Sequence, residues 1–365
     1  MKTELFIVAG VLGVLIVGGV FAYNRWQMRK LKKTAAQFES GHDDVLLHSA
    51  TESDQQEERI DPVLGDITLD RSRGSLDFSD RPEPATDIAQ PLPAVLDESI
   101  DYVASIEVAD SIDAEYLRRA RRGVLAGIKK PLHLEGYNRS FGVWEGIPES
   151  GHSEYQSVRI GMQLANRYGA VTLSELHTFK DAIAALASEV LGSASFADTD
   201  ESARSAAELD KFCGEVDVQL PLQVRAKDAT GFTLSTLHAV ASDAGMVREA
   251  DGRYYRRDAA AAVEFSLANL DERALPDPSS DETVAGVTFL LDFPRLENGL
   301  AAYDRMVDSA RRLAQAVGGV IVDDKRRPMS DAALAMTRKE LEKLAQKMQE
   351  RHIPAGCDRA LRLFS

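Results

Sequence analysis

The stretch from Val284 to Arg327, VAGVTFLLDFPRLENGLAAYDRMVDSARRLAQAVGGVIVDDKRR, constrains the fold more tightly than any other, because its hydrophobic period changes twice. Val287 to Phe293 is apolar except for Asp292, and it stops at Pro294, which cannot donate to a β-ladder. That pattern predicts a strand. From Gly299 onward, Tyr303, Met306, Val307, Ala310, Leu313, Ala314 and Val317 recur at helical spacing, with Asp304, Arg305, Asp308, Arg311 and Arg312 on the other side. An amphipathic helix with one face for a sheet follows from it. Gly318 and Gly319 supply the left-handed residue that ends such a helix. Val320 to Val322 then form a short strand entering a polar turn, in which Asp323 and Asp324 order Arg326 and Arg327, and a second helix runs from about Ser330 to Glu350.

The segment before it reads as strand (Val216 to Val224), helix (Phe232 to Ala244), a Tyr254–Tyr255 strand and a strand at Val263 to Ala268. Strand, helix, strands, helix, strand, helix is a split β-α-β order, which gives an α+β fold with an antiparallel sheet and helices on one face. The other face is left for a partner. Upstream, Ile100 to Val108 alternates as a half-buried strand, Asp113 to Arg122 is a short helix, and strand-like pieces lie at Leu132 to Leu134, Gly142 to Gly146 and Val158 to Leu164. Phe179, Asp181, Leu186, Ala187, Val190 and Gly192 match Met306, Asp308, Leu313, Ala314, Val317 and Gly319 at one constant offset, and Ala203 to Phe212 supplies a further helix. The expectation is a tandem duplication, with a first α+β unit at 99–214 and a second at 215–352; a single enlarged domain is the alternative reading.

Leu5 to Tyr23 is uncharged and apolar, and at ~1.5 Å per residue it measures ~28 Å, close to a ~30 Å hydrocarbon core. The basic cluster Arg25, Arg29, Lys30, Lys32, Lys33 follows it, the reverse of a cleaved signal peptide. Residues 1–33 therefore read as a transmembrane anchor with a basic flank. Positive charge on the carboxy-terminal side puts the amino terminus outside and the bulk of the chain in the cytoplasm. Residues 34–98 are acidic, rich in Ser and Pro and poor in aromatics, and read as a disordered linker. A coil of about 65 residues spans roughly 45 Å.

A net charge of −15 argues against nucleic acid, whose phosphates demand an excess of Lys and Arg. Cys213 and Cys357 lack metal-ligand spacing and read as reduced thiols. None of the seven histidines pairs at i, i+4, and no P-loop, dinucleotide fingerprint or G-x-S-x-G occurs, so neither enzyme nor cofactor is expected. Arg118, Arg119, Arg121 and Arg122 read as a solvated helix end.

FSLAN at Phe265 to Asn269, GVT at Gly286 to Thr288, Pro294, the helix after it and GGVIVDDKRR at Gly318 to Arg327 resemble, in that order and spacing, the carboxy-terminal domain of the ZipA family. Members of that family tie the tubulin-like polymer FtsZ to the bacterial inner membrane, and the resemblance covers residues 216 to 350. It implies a shallow apolar groove on the exposed sheet face for the FtsZ carboxy-terminal tail. By motif position the groove includes Ala268, Leu270, Thr288 and Leu290, with Arg326 at its edge. Two positions depart from the family pattern: Asp251 stands where a groove methionine is expected, and Glu272 replaces a rim lysine. The implied protein is a single-pass inner-membrane division adaptor that meets the bilayer through Leu5 to Tyr23. Self-association stays open. An adaptor for another cytoplasmic partner and a membrane-tethered hydrolase are the competing readings.

Overall fold

The computed structural model describes residues 90–227, 231–271, 273–323 and 325–365. The expected anchor, almost all of the linker, Glu272 and Asp324 lie outside the described residues.

Two large antiparallel sheets carry most of the described chain, beside two short two-stranded pairs, Ala165–Asn166 with Gly169–Ala170 and Phe232–Thr233 with Thr283–Val284. In the first half, β1 (Asp101–Asp113), α1 (Ala114–Arg122), β2 (Leu132–Asn138), β3 (Val143–Gly146) and β4 (Glu154–Gln163) lead to α2 (Leu173–Glu189), β5 (Ser193–Phe196) and α3 (Thr199–Val216). The second half runs β6 (Gln219–Arg225), α4 (Leu234–Asp243), β7 (Tyr254–Arg257), β8 (Val263–Asn269), β9 (Gly286–Asp292), α5 (Gly299–Ala316), β10 (Val320–Val322), α6 (Asp331–Glu350) and α7 (Asp358–Leu363). The first sheet is ordered β3-β2-β4-β1-β5, and the second is β7-β8-β9-β6-β10 with a two-residue strand, Val247–Arg248, beyond β7.

The two sheets share a central motif. β1 lies antiparallel between β4 and β5, and α2 connects those two outer strands. In the same way β6 lies between β9 and β10, which α5 connects. Both are split β-α-β units, as the periodicity predicts. The halves differ at the other edge: β7, β8 and β9 form a meander, whereas β2 pairs with β4 and pushes β3 outside. Phe179 and Met306, equated from sequence, are both fully buried on the corresponding helices α2 and α5.

Burial follows the alternation of each strand. Leu220, Leu222 and Val224 of β6, Phe265 and Leu267 of β8, and Val287, Phe289 and Leu291 of β9 form one core with Ala302, Met306 and Ala310 of α5. The first core gathers Tyr102, Ala104 and Ile106 of β1, Val158, Ile160 and Met162 of β4, and Leu176, Phe179 and Ile183 of α2. It also takes Met348, Ile353, Ala360, Leu363 and Phe364, so the end of the chain returns to the first half. Gly356 lets it do so. Its φ is +77°, a Cβ there would stand 2.1 Å from the Glu297 nitrogen, and its N–H donates to the Pro294 carbonyl at 3.0 Å.

Three boundaries differ from the sequence reading. Residues 216–218 are not strand, because α3 runs through Val216. β1 extends to Asp113 past a register irregularity after Glu107. The linker is expected to reach residue 98, yet Val95 and Leu96 are already fixed, their N–H groups donating to Glu135 Oε1 at 2.5 and 2.6 Å.

Candidate functional site

The face of the second sheet turned away from α5 is where the sequence-predicted groove residues fall. On β9, Val287, Phe289 and Leu291 are buried while Thr288, Leu290 and Asp292 are half-buried, so the strand's two-residue period divides core from open face as expected. Strand register then sets each neighbour. Thr288 stands opposite Ala268 on β8 and Gln223 on β6, and Leu290 stands opposite Ser266 and Pro221. The row through Leu290 continues from Ser266 to Tyr255 on β7 and from Tyr255 to Val247 on the edge strand. Val247 is 67% exposed.

Leu270, just past β8, leans over Gly286 at the start of β9. A Cβ on Gly286 would stand 2.9 Å from Leu270 Cδ1 and 2.6 Å from the Val224 carbonyl oxygen, so the missing side chain makes the space that Leu270 uses. Leu270 itself remains half-buried. Four of the five sequence-predicted residues, Ala268, Leu270, Thr288 and Leu290, thus share one surface.

Arg326 lies across β6 and β10, in the turn after Val322. It is exposed and takes a left-handed conformation, φ +62°, with its N–H donating to the Asp323 carbonyl at 3.0 Å. The Asp323 side chain organises this turn through Arg327, accepting its backbone N–H at 2.8 Å and its Nε at 2.7 Å, and also accepts Lys325 N–H at 2.9 Å. The sequence reading that Asp323 orders Arg327 holds. The Arg326 guanidinium acts on Arg225, whose side chain is pushed below its ordinary value by burial and then by the Arg326 charge. Two cations therefore mark this corner of the face. Gln223 accepts from Arg225 Nε at 3.2 Å.

Asp251 is exposed in the turn between the edge strand and β7, and its carboxylate accepts the Tyr255 hydroxyl at 2.5 Å and the Arg253 N–H at 3.0 Å. The Tyr255 bond, foremost, holds its carboxyl below the usual range. Its charge thus serves to hold the Tyr255 ring on the open face. Tyr255, Val247, Pro221 and Arg225 belong to this surface and were not named as groove residues from the sequence. The alternation of β6, with Gln219, Pro221 and Gln223 between buried leucines and valine, carried the signal for Pro221.

At the far end of β9, Asp292 and Asp217 are both held by Arg167 of the first half, whose Nη1 donates to Asp292 Oδ2 and whose Nη2 donates to Asp217 Oδ1, each at 2.8 Å. The two carboxylates hold Arg167 above its ordinary value against the burial that lowers it, while burial outweighs Arg167 at Asp217 and leaves that carboxyl raised. This end of the face is closed by ion pairing. The cationic end is open.

Residues 219–340 match the family described as ZipA, C-terminal FtsZ-binding domain. That segment is similar to the ZipA carboxy-terminal domain family. The Cell division protein ZipA of Marinobacter nauticus (strain ATCC 700491 / DSM 11845 / VT8) is 24% identical over 135 residues. The aligned stretch is 36% of this chain and spans 40% of the relative's length. The family match begins at Gln219, the first residue of β6, and ends within α6, so this ZipA-like domain contains every strand of the second sheet.

Proposed function

We propose that this chain is a membrane-anchored cell division adaptor whose ZipA-like domain binds the carboxy-terminal tail of FtsZ on the open face of the second sheet. The observation that carries this reading is the half-exposed row of Ala268, Thr288 and Leu290 on a sheet face that no described helix covers, inside a segment similar to the ZipA carboxy-terminal family. Ala268, Leu270 and Leu290 offer apolar anchors, and Arg326 beside Arg225 offers a cationic rim for an acidic residue or a terminal carboxylate. The apolar segment Leu5 to Tyr23 would hold the adaptor in the inner membrane, with the acidic stretch that follows it as tether.

Such a face binds weakly at each contact. A peptide loses conformational freedom as it orders, and a few apolar anchors offset only part of that loss. Filaments present many tails, and adaptors confined to one membrane plane meet them at high effective concentration, so the total hold rises without any new contact.

The test is a titration of a labelled FtsZ tail peptide against wild type and Leu290→Ala. The variant is expected to stay folded, because Leu290 lies outside the buried core, and to lose about 1–3 kcal/mol of peptide affinity as a central anchor would. A pull-down with FtsZ carrying or lacking its tail completes it. Unchanged peptide affinity in Leu290→Ala removes the groove assignment, and capture of tailless FtsZ removes the tail as ligand.

A further inference from the structure

The first sheet also has a face turned away from its helices, and that face is occupied by the chain itself. Ile160 and Met162 of β4 point into the core, so Arg159 and Gly161 point the other way, and register places Glu135 and His133 of β2 beside them. The segment Leu92–Asp97 crosses this surface just before β1. A Cβ on Gly161 would stand 2.2 Å from Leu96 Cδ2, so Leu96 fills the notch left by the glycine.

Polar contacts fix the rest of the segment. Glu135 is 0% exposed, pairs with Arg159 at 2.5 Å, and accepts the two consecutive N–H groups of Val95 and Leu96. Arg159 in turn lies over the Trp144 ring at 4.1 Å. The Val95 carbonyl accepts from Arg362 Nη1 at 2.9 Å, and the Asp97 carboxylate is paired with Arg359, both cations belonging to α7. A buried carboxylate needs its acceptor positions filled, and here backbone amides fill them, so the surface reads a peptide's main chain rather than one particular side chain.

The position of this segment matters. β4 holds in the first sheet the place of β9 in the second, and β2 holds the place of β8, since both pairs lie next to the central strand of a split β-α-β unit. Leu92–Asp97 therefore sits on the counterpart of the surface formed by Ala268, Thr288 and Leu290. We propose that the first sheet is a second peptide-binding module, shaped for an apolar segment that turns two consecutive N–H groups toward Glu135 and ends in an acid, and that Leu92–Asp97 is its resident ligand in cis. Leu96 is the anchor, Glu135 the main-chain reader, and Arg359 the partner of the acid. This does not depend on which protein the second sheet binds.

The experiment titrates full-length wild-type and Leu96→Asp chains with a fluorescein-labelled synthetic peptide of residues 91–99. A tethered segment competes at roughly millimolar effective concentration, so the Leu96→Asp chain should bind the peptide saturably and at least about tenfold more tightly than wild type. Glu135→Gln added to Leu96→Asp should weaken that binding. A folded Leu96→Asp chain that takes up the peptide no better than wild type overturns the proposal. Hydrogen exchange on wild type gives a readout that needs no variant. The Val95 and Leu96 amides should exchange through an opening that leaves β1 and β4 protected, and a single common exchange rate for all of them would overturn the proposal too.

Discussion

A methyl group at Gly286 has nowhere to go, with the Val224 carbonyl oxygen 2.6 Å and Leu270 Cδ1 2.9 Å from where it would sit. The carbonyl belongs to the central strand and cannot yield, so Leu270 must lift and β9 must shift. Gly286→Ala is expected to cost about 1–3 kcal/mol of stability, as overpacking does, and to weaken tail peptide binding beyond that of a core variant of equal stability. Denaturant unfolding and the peptide titration check the two parts. At this scale the sequence carried half of the surface. Thr288 and Leu290 are separated from Val287, Phe289 and Leu291 by simple alternation, and that needs only one strand. Val247 and Tyr255 are placed by register across four strands, which no local pattern encodes, and the bond from Tyr255 to Asp251 makes an apparent misfit into a support.

Among the elements, α2 is the helix whose start is most fully specified. Thr172 caps it, its hydroxyl accepting the Glu175 N–H at 3.2 Å while the Glu175 carboxylate accepts the Thr172 N–H at 2.7 Å. Thr172→Ala is expected to lower stability by about 1 kcal/mol in thermal or denaturant unfolding. The same box creates a pH dependence. The Thr172 backbone bond, foremost, holds the Glu175 carboxyl below its ordinary value, so the folded state favours the ionised form. Its contribution is complete above the unfolded carboxyl value of about 4.3 and disappears as pH falls through the lower folded value. The melting-temperature gap between wild type and Glu175→Gln should therefore be full at neutral pH and close on acidification below about pH 4; a gap that persists unchanged in acid refutes the assignment. Helices α5 and α6 were legible in sequence to within a residue or so, because glycines and a serine cap bracket clean periodic faces. The start of β6 was not, since Val216 is as apolar as a strand residue and only packing within α3 decides its place.

Over the whole molecule, the β-α-β order of both halves could be read from period and punctuation, but the return of the carboxy terminus could not. The sequence after His352 is short and mixed, and its buried side chains join a core built from residues more than a hundred positions away in the first half. Physically it is indispensable there. Ile353, Leu363 and Phe364 are buried in the first core, and at about 1.5–3 kcal/mol for each such side chain their loss is roughly 4.5–9 kcal/mol. That approaches the whole stability of a typical domain, about 5–15 kcal/mol. A chain ending at His352 would keep all of residues 219–340 and also lose the Gly356 N–H bond to Pro294 and the Arg359 and Arg362 pairs to Asp97 and Asp101. The expected outcome is selective. Amides of β1 and β4 should lose hydrogen-exchange protection, while those of β6 and β9, whose core draws on α5, should keep most of theirs. Equal protection in both sheets after truncation would mean that the first core closes without its last helix, and the burial of Phe364 would then be incidental to the stability of that half.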